Sequence, residues 1–166
     1  MPPPAIKTSY PHSGVACASL RECPVDAEPA PRIAFSVTND MAVLDLVRVR
    51  TRALLEAAGA GARTVYDTEL VLEEVLTNVI RHAFRDHGQH RIDIELAVGP
   101  DAVVLAFADD GEPFDPRAFP QRRAPSSIEE AEAGGLGLVL VRGVAQAIGY
   151  ERRNDRNHLV IRVPLQ

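Results

Sequence analysis

The sequence lacks three features that would indicate whole classes of protein: a basic excess, a long apolar run and a secretion signal. Its 18 Lys and Arg are outnumbered by 23 Asp and Glu, giving a formal charge of -5, whereas surfaces that follow nucleic-acid phosphates need the opposite balance. No apolar run approaches the roughly 18 to 20 residues that span a bilayer, and the N-terminus lacks the apolar core of a signal peptide. We therefore expect a cytoplasmic protein that binds neither nucleic acid directly nor a membrane.

Cysteine is also scarce. Cys17 and Cys23 have no second Cys or His pair at the spacing of a metal site, and we expect free thiols without a catalytic role. The chain shows no internal repeat, which excludes a repeat array. What remains is an ordinary globular composition, 46% hydrophobic and 25% charged, which indicates one folded domain.

Proline and apolar periodicity predict how the chain is divided. Seven of the 13 prolines precede Arg32, which predicts a flexible tail over residues 1–31 and a folded domain over 32–166. Within that domain, periodicity predicts strands and helices in the order β-α-α-β-β-loop-α-β-β. Strands are predicted at 33–37, 90–98, 102–108, 150–153 and 158–163, and helices at 41–57, 64–84 and 136–148. The fold class is therefore α+β, with helices covering one face of a mostly antiparallel sheet.

Glu74 and Asn78 form the first motif, four residues apart on one face of the longest predicted helix. An amide oxygen suits Mg²⁺, which takes its other ligands from water and phosphates. A carboxylate one turn away can accept a proton from a hydroxyl group that attacks a phosphate. A solvated helix face carries the same residue types, so the pair alone leaves both interpretations open.

Asp109 and Gly111 form the second motif, directly after a predicted buried strand, in the run DDGEPFDP. A carboxylate at a strand end can accept a hydrogen bond from the exocyclic amine of adenine, and a glycine lets the backbone approach a ligand. A turn that needs Asp and Gly for its own geometry is the alternative. Strand alternation predicts that Asp110 points to the face opposite Asp109.

The third motif is the glycine-rich run GGLGL at 134–138, which opens the third predicted helix. Such glycines let free backbone N–H groups at a helix start approach phosphates. The run is not a P-loop, because no Gly-Lys-Ser/Thr follows, and a hinge without a ligand would use the same glycines. The four prolines and many charges at 112–133 predict a long loop that acts as a lid.

Together the three motifs supply a base, a metal ligand, an adenine acceptor, a lid and a phosphate turn, which a nucleotide site needs. The motifs resemble those of the GHKL (Bergerat-fold) ATPase superfamily and, within it, the anti-sigma-factor serine/threonine kinases. The likeness covers residues 33–163, and Pro113 stands where sensor histidine kinases more often carry glycine. The resemblance implies a two-layer α/β sandwich with a histidine-kinase-like ATP-binding domain, and ATP and Mg²⁺ as cofactors.

The resemblance also implies a role for each matched residue. Asn78 would bind Mg²⁺, Glu74 would be the catalytic base for a protein hydroxyl group, and Asp109 would take the adenine amine, with Gly111 beside it. His82 matches a histidine often seen in this branch, and its place at the edge of the apolar stripe predicts a packing or hydrogen-bonding role. The remaining cofactor-binding residues belong to the glycine-rich run: Gly134, Gly135, Leu136, Gly137 and Leu138.

The function implied by the resemblance is phosphorylation of a STAS-domain anti-anti-sigma protein and sequestration of a sigma factor, with a homodimer as a further implication. The alternative is a non-catalytic ATP-binding switch that regulates its partner by sequestration alone. The chain departs from the superfamily before its final strand, where it has Asn157-His158 and many members have a Gly-Thr pair that completes the adenine pocket. The last adenine contact is therefore left open.

Overall fold

The computed structural model describes residues 30–86, 88–118 and 136–166. Nearly all of the predicted tail, both cysteines, Gly134, Gly135 and most of the predicted lid lie outside the described residues. The described elements are β1 (Arg32–Thr38), α1 (Val43–Ala57), α2 (Ala62–His82), β2 (Arg91–Val98), β3 (Ala102–Asp109), α3 (Leu136–Val144), β4 (Ala147–Arg153) and β5 (Arg156–Pro164).

The strands form one five-stranded sheet in the order β1-β2-β3-β5-β4, and every neighbouring pair is antiparallel. Alternate side chains of β2 are buried, whereas the first four residues of β3 are all buried. The register sets Leu96 opposite Leu105 and Ile94 opposite Phe107. These inward positions share one apolar core with residues of all three helices. The predicted α+β arrangement, with helices over one face of the sheet, is confirmed.

Helix α2 forms because its apolar residues recur every three or four positions. Val71, Leu72, Val75 and Leu76 are at most 3% exposed and form the centre of the core. The helix begins at Ala62 and ends at His82, two residues earlier at each end than the sequence predicts. Among the described helices, none is both long and apolar enough to cross a membrane.

Helix α1 begins two residues later than the sequence predicts, after a turn in which Oδ1 of Asp40 accepts a hydrogen bond from the backbone N–H of Ala42 at 2.9 Å. The helix begins at Val43, and its N-cap residue, Ala42, makes no side-chain capping bond. The side chain of Asn39 instead donates to the carbonyl oxygen of Gly88 and accepts from the backbone N–H of His90. Because its amide is used to join two loops, Asn39 is not available as a cap.

The third helix is shorter than predicted, because α3 ends at Val144 and residues 147–153 form β4. The apolar run through Ile148 is compatible with a helix or a strand. It forms a strand because Ile148 pairs with Ile161 of β5. The two last predicted strands are confirmed, and they form a hairpin around Asn154 and Asp155. Both residues have positive φ angles, 52° and 58°, as the favoured two-residue hairpin turn requires.

Candidate functional site

A cleft of about 430 Å³ opens between the C-terminal half of α2, the first half of α3 and the inner face of the sheet. Its volume is in the range of small-molecule sites, which are mostly apolar with a few placed polar groups. The apolar lining comes from Val75, Val79, Phe107, Leu138, Val141, Ile148, Leu159 and Ile161. The polar lining includes Asn78, Asp109, Tyr150 and Asn157, so the cleft can bury a flat ring and bond its edge.

Asp109 is the last residue of β3 and is only 4% exposed. Its Oδ1 accepts hydrogen bonds from the backbone N–H of Gly111 at 2.9 Å and from Nδ2 of Asn157 at 2.8 Å. Among the described residues none donates to Oδ2, which leaves this oxygen as an acceptor for a molecule in the cleft. Asp110 points the other way, as predicted, and lies 3.2 Å from Nδ1 of His90.

Gly111 is required by the close approach of the turn to the end of α2. A Cβ atom at this position would lie 2.6 Å from Cβ of Ala83 and 2.7 Å from its carbonyl oxygen. The same carbonyl accepts a hydrogen bond from the backbone N–H of Glu112 at 2.7 Å. Gly111 stands beside Asp109 as predicted, yet its conformation is explained by packing without a ligand.

Asn78 and Glu74 take different positions relative to the cleft. Asn78 lines the cleft, is half-buried, and has no side-chain hydrogen bond to any described residue. Glu74 is outside the lining, and its carboxylate lies against Gly137, where an added Cβ would overlap Oε2. Burial, and then the charge of Glu73, raises the pKa of Glu74. A carboxylate with a raised pKa is a better proton acceptor.

The described part of the glycine-rich run forms the first turn of α3. Gly137 and Leu138 line the cleft, and Leu136 opens the helix. The first N–H groups of a helix have no partner within it, and this end carries a partial positive charge. The cleft wall at Gly137 therefore suits an anion.

His82 does not pack in the way that the sequence predicts. It is exposed at the last residue of α2, lines the cleft, and makes no hydrogen bond to a described residue. The apolar stripe reaches this position, but the helix ends beside the cleft. Its imidazole is therefore accessible to a molecule in the cleft.

Two polar side chains of the site, Tyr150 and Arg152, were not predicted from the sequence, and Asn157 was recognised only as a departure from the superfamily. Asn157 is 5% exposed and accepts from Oη of Tyr150 at 2.8 Å and Nη1 of Arg152 at 2.9 Å. His158, the other residue of the departing pair, lies opposite Ala108 on the outer side of the sheet. A signal was present: Asn157 is in phase with the inward-facing Leu159 and Ile161, and an inward polar residue needs a partner.

The comparisons with known proteins agree with this architecture. Residues 37–163 match the family model described as a histidine kinase-like ATPase domain, and the chain belongs to this family. The chain is 33% identical over 100 residues to the serine/threonine-protein kinase BtrW of Bordetella bronchiseptica, covering 60% of this chain and 70% of BtrW. It is 26% identical over 100 residues to the serine-protein kinase RsbW of Oceanobacillus iheyensis, covering 58% and 63% respectively.

A solved structure of similar fold contains the RsbU and RsbW domains of Rv1364c from Mycobacterium tuberculosis. The match has a TM-score of 0.56 at 15% identity and covers 82% of this chain but only 33% of that chain. At this identity the likeness shows the fold alone. The resemblance inferred from the motifs is thereby confirmed at the level of the family and the fold.

Proposed function

We propose that this chain is an ATP-dependent protein serine/threonine kinase of the anti-sigma-factor type. The observation that supports it most is the buried Asp109, which offers one unbonded carboxylate oxygen to an apolar cleft. The chain belongs to an ATPase family, and the relatives named above are serine or serine/threonine kinases. The cleft supports the proposal that the chain binds a nucleotide, and the kinase names of the relatives support the proposal that it transfers a phosphoryl group.

The residues of the cleft fit ATP and Mg²⁺. The apolar lining suits the adenine ring, and Oδ2 of Asp109 suits its amine. Asn78 lines the cleft and would be the protein ligand of Mg²⁺, with phosphate and water oxygens completing the shell. When bound, the magnesium nucleotide supplies the phosphoryl group and neutralises charge in its transfer.

The phosphate side of the site would be the start of α3. The backbone N–H groups at Leu136, Gly137 and Leu138 can donate to phosphate oxygens there. Gly134 and Gly135, which lie outside the described residues, keep the roles that the resemblance implies for them. Glu74, against Gly137, would accept the proton of a protein hydroxyl group as its oxygen attacks.

The partners proposed for this kinase follow from the resemblance and from the kinase names of the relatives. The hydroxyl group would belong to a STAS-domain anti-anti-sigma protein, and the chain would sequester a sigma factor when that protein is phosphorylated. A homodimer is part of the same proposal.

Transfer of label from γ-labelled ATP to a candidate STAS-domain protein tests the kinase. Glu74→Gln should lower the rate about a hundredfold, within the ~10²–10⁴ range of a lost general base, while nucleotide affinity stays within about threefold. Glu56→Gln, which removes the same charge from an exposed position on α1, is the matched control. Equal rates in the wild type and in Glu74→Gln would remove the catalytic assignment.

The metal assignment is tested by titrating Mg-ATP into Asn78→Ala. We expect the affinity to fall at least tenfold, because the proposed site has no second protein ligand to compensate. Thr77→Ala, one residue earlier on α2, should bind like the wild type. If Asn78→Ala bound Mg-ATP and transferred label as the wild type does, the metal ion would have to be held by other groups.

The second candidate is a switch that binds ATP and sequesters a partner without phosphorylating it. It is favoured by one observation: the Glu74 carboxylate lies outside the cleft lining. Wild-type protein that binds ATP and a sigma factor but transfers no label would support the switch and contradict the kinase. The same mixture analysed with Glu74→Gln would then show unchanged sequestration.

A further inference from the structure

A cluster of polar side chains lies behind the Asp109 carboxylate. Tyr150 and Arg152 of β4 bond Oδ1 of Asn157 on β5. Nδ2 of Asn157 bonds Oδ1 of Asp109 at 2.8 Å and the carbonyl oxygens of Glu112 and Gly111 at 3.0 and 3.3 Å. The cluster therefore joins β4 and β5 to the end of β3 and to the turn that follows it.

The orientation of the Asn157 amide is fixed at both ends. A guanidinium group can only donate, so the atom that Arg152 contacts at 2.9 Å is the amide oxygen. A carbonyl can only accept, so the atom facing Glu112 and Gly111 is the amide nitrogen. Rotation of the amide would set donor against donor and acceptor against acceptor. Arg152 adds a second bond, from the same Nη1 atom to the carbonyl oxygen of Gly111.

This geometry fixes what Asp109 can offer to a ligand. Its Oδ1 is held by Asn157 and by the N–H of Gly111, so the carboxylate keeps one orientation and only Oδ2 is available. Both amide hydrogens of Asn157 face protein acceptors and cannot be given to a ligand. The site can therefore accept a hydrogen bond at this point but cannot donate one.

We propose that Asn157, held by Tyr150 and Arg152, is a positioning residue that makes the site select 6-aminopurine over 6-oxopurine nucleotides. The proposal rests on the proposed function, because it takes adenine as the ring that meets Asp109. A 6-amino group donates to Oδ2. A 6-oxo group would set an oxygen lone pair against it, and neither Asp109 nor Asn157 can turn to present a donor.

The test compares the affinities for ATP and inosine triphosphate, which carries oxygen in place of the 6-amino group, measured by calorimetry with Mg²⁺ on the full chain. The wild type should prefer ATP by about ten- to a hundredfold, as expected for a charged hydrogen bond lost to an unpaired acceptor. Asn157→Leu should lower this ratio about tenfold, mainly through weaker ATP binding. A wild-type ratio in a folded Asn157→Leu protein would overturn the proposal.

Asn157→Asp provides a readout that a purely structural role would not change. The new carboxyl group would face the Asp109 carboxylate and the carbonyls of Gly111 and Glu112, which favour its protonated form, while Arg152 and Tyr150 on its other side favour the ionised form. When protonated it can donate to Asp109 as the amide does. The preference for ATP should therefore be near the wild-type value at low pH and fall as pH rises, whereas the wild-type ratio stays constant. A ratio independent of pH in both proteins would contradict the proposal.

Arg152 offers a second test that does not alter the buried amide, because Arg152 is an exposed residue. Arg152→Met should lower the ATP preference about threefold by releasing Oδ1 of Asn157. Arg153→Met, the next residue and on the opposite side of β4, is the matched control and should keep the wild-type ratio. If the ratio of ATP affinity to inosine triphosphate affinity were equal in these two variants, Arg152 would have no part in positioning Asn157.

The failure of this proposal differs from failure of the proposed function. If the wild type binds both nucleotides equally well, the nucleotide site stands and the selection by Asn157 fails. If the wild type binds neither nucleotide, the proposed function fails and the selection fails with it.

Discussion

Helix α2 carries one apolar stripe whose surroundings change after Leu76. In the part up to Leu76, called here the core half, Val71, Leu72 and Leu76 are at most 2% exposed, and the remaining residues form the cleft half. In the cleft half, Val79 and Ile80 continue the pattern but are only half-buried, and Val79 faces the cleft. A stripe that extends beyond the core therefore becomes the wall of a binding site.

The comparison also explains where the polar residues of α2 can act. Glu74 lies just before Leu76, the last fully buried apolar residue of α2, and Asn78 lies just after it; both side chains are half-buried. Earlier in the core half, by contrast, Asp67 is 1% exposed and bonds only Arg63, at 2.8 Å, among the described residues. The chemistry at the cleft thus depends on incomplete packing.

The largest effect is expected from Leu76→Ala in the core half. Leu76 is 0% exposed, and a cavity of this kind lowers the free energy of unfolding by about 2–5 kcal/mol. Val79→Ala, in the cleft half, should cost less than about 1.5 kcal/mol because the side chain is only partly packed. Urea denaturation measures both. Equal losses would show that the two halves are packed alike.

The next largest effect is expected from Gly111→Ala, which should lower the free energy of unfolding by about 1–3 kcal/mol. The new methyl group would meet the backbone and Cβ of Ala83, just beyond α2. Gly137→Ala meets only the flexible carboxylate of Glu74. We expect almost no change in its unfolding free energy but slower label transfer, since the proposed base is displaced. Thermal melts and rates of label transfer should be measured for both variants. If Gly137→Ala were less stable than Gly111→Ala, the packing described here would be contradicted.

Val79→Phe should fill part of the cleft without disturbing the core half of α2. The unfolding midpoint without ligand should change little, whereas stabilisation by Mg-ATP, worth about 2.7 kcal/mol at 100 times the dissociation constant, should be largely lost. Differential scanning fluorimetry with and without Mg-ATP measures this. Leu46→Phe on the exposed side of α1 is the control, since Leu46 is 51% exposed. A full ATP shift in Val79→Phe would place the ligand elsewhere.

The smallest effect is a pH dependence at the loop after α2. The ring of His90 stacks on Phe84 with centroids 4.1 Å apart, and Nε2 bonds Asp86 at 2.6 Å. That bond raises the pKa of His90, partial burial opposes it, and Asp110 adds to the rise.

A histidine with a raised pKa stabilises the folded state fully below its unfolded pKa of about 6.5. The contribution is lost as pH rises through the higher value of the folded state. The melting temperature of the wild type relative to His90→Gln should therefore decline slightly from about pH 6.5 upwards. A difference that does not change with pH would show that His90 is held by stacking alone.

Much of this architecture could be predicted because local patterns were strong. The stripe from Val71 to Leu76 defined α2, and the alternation ending at Asp109 placed one acid inward and the next outward. The end of α3 could not be predicted, because an apolar run through Ile148 fits a helix or a strand until β5 provides a pairing partner. His82 was assigned to packing because periodicity does not show where the core ends.

In the candidate site, too, some residues could be predicted from local sequence and others could not. Asn78, Asp109 and Gly137 were found from motifs, since each lies in a short run with its own chemical signature. Asn157, Tyr150 and Arg152 lie on two strands with no motif, and Asn157 meets Asp109 only because β5 pairs with β3. The bonds from Arg152 to Gly111 and from Asn157 to Asp109 join residues 41 and 48 positions apart in the chain, beyond the reach of any local pattern.

The sequence by itself determined the order of helices and strands, the side of each that is apolar, and the family, because these depend on spacing within short segments. Only the tertiary structure decided which polar groups face one another. Hydrogen bonds such as that between Asn157 and Asp109 require atoms to approach within 2.8 Å, and distances of that kind are set by the pairing of strands far apart in the chain.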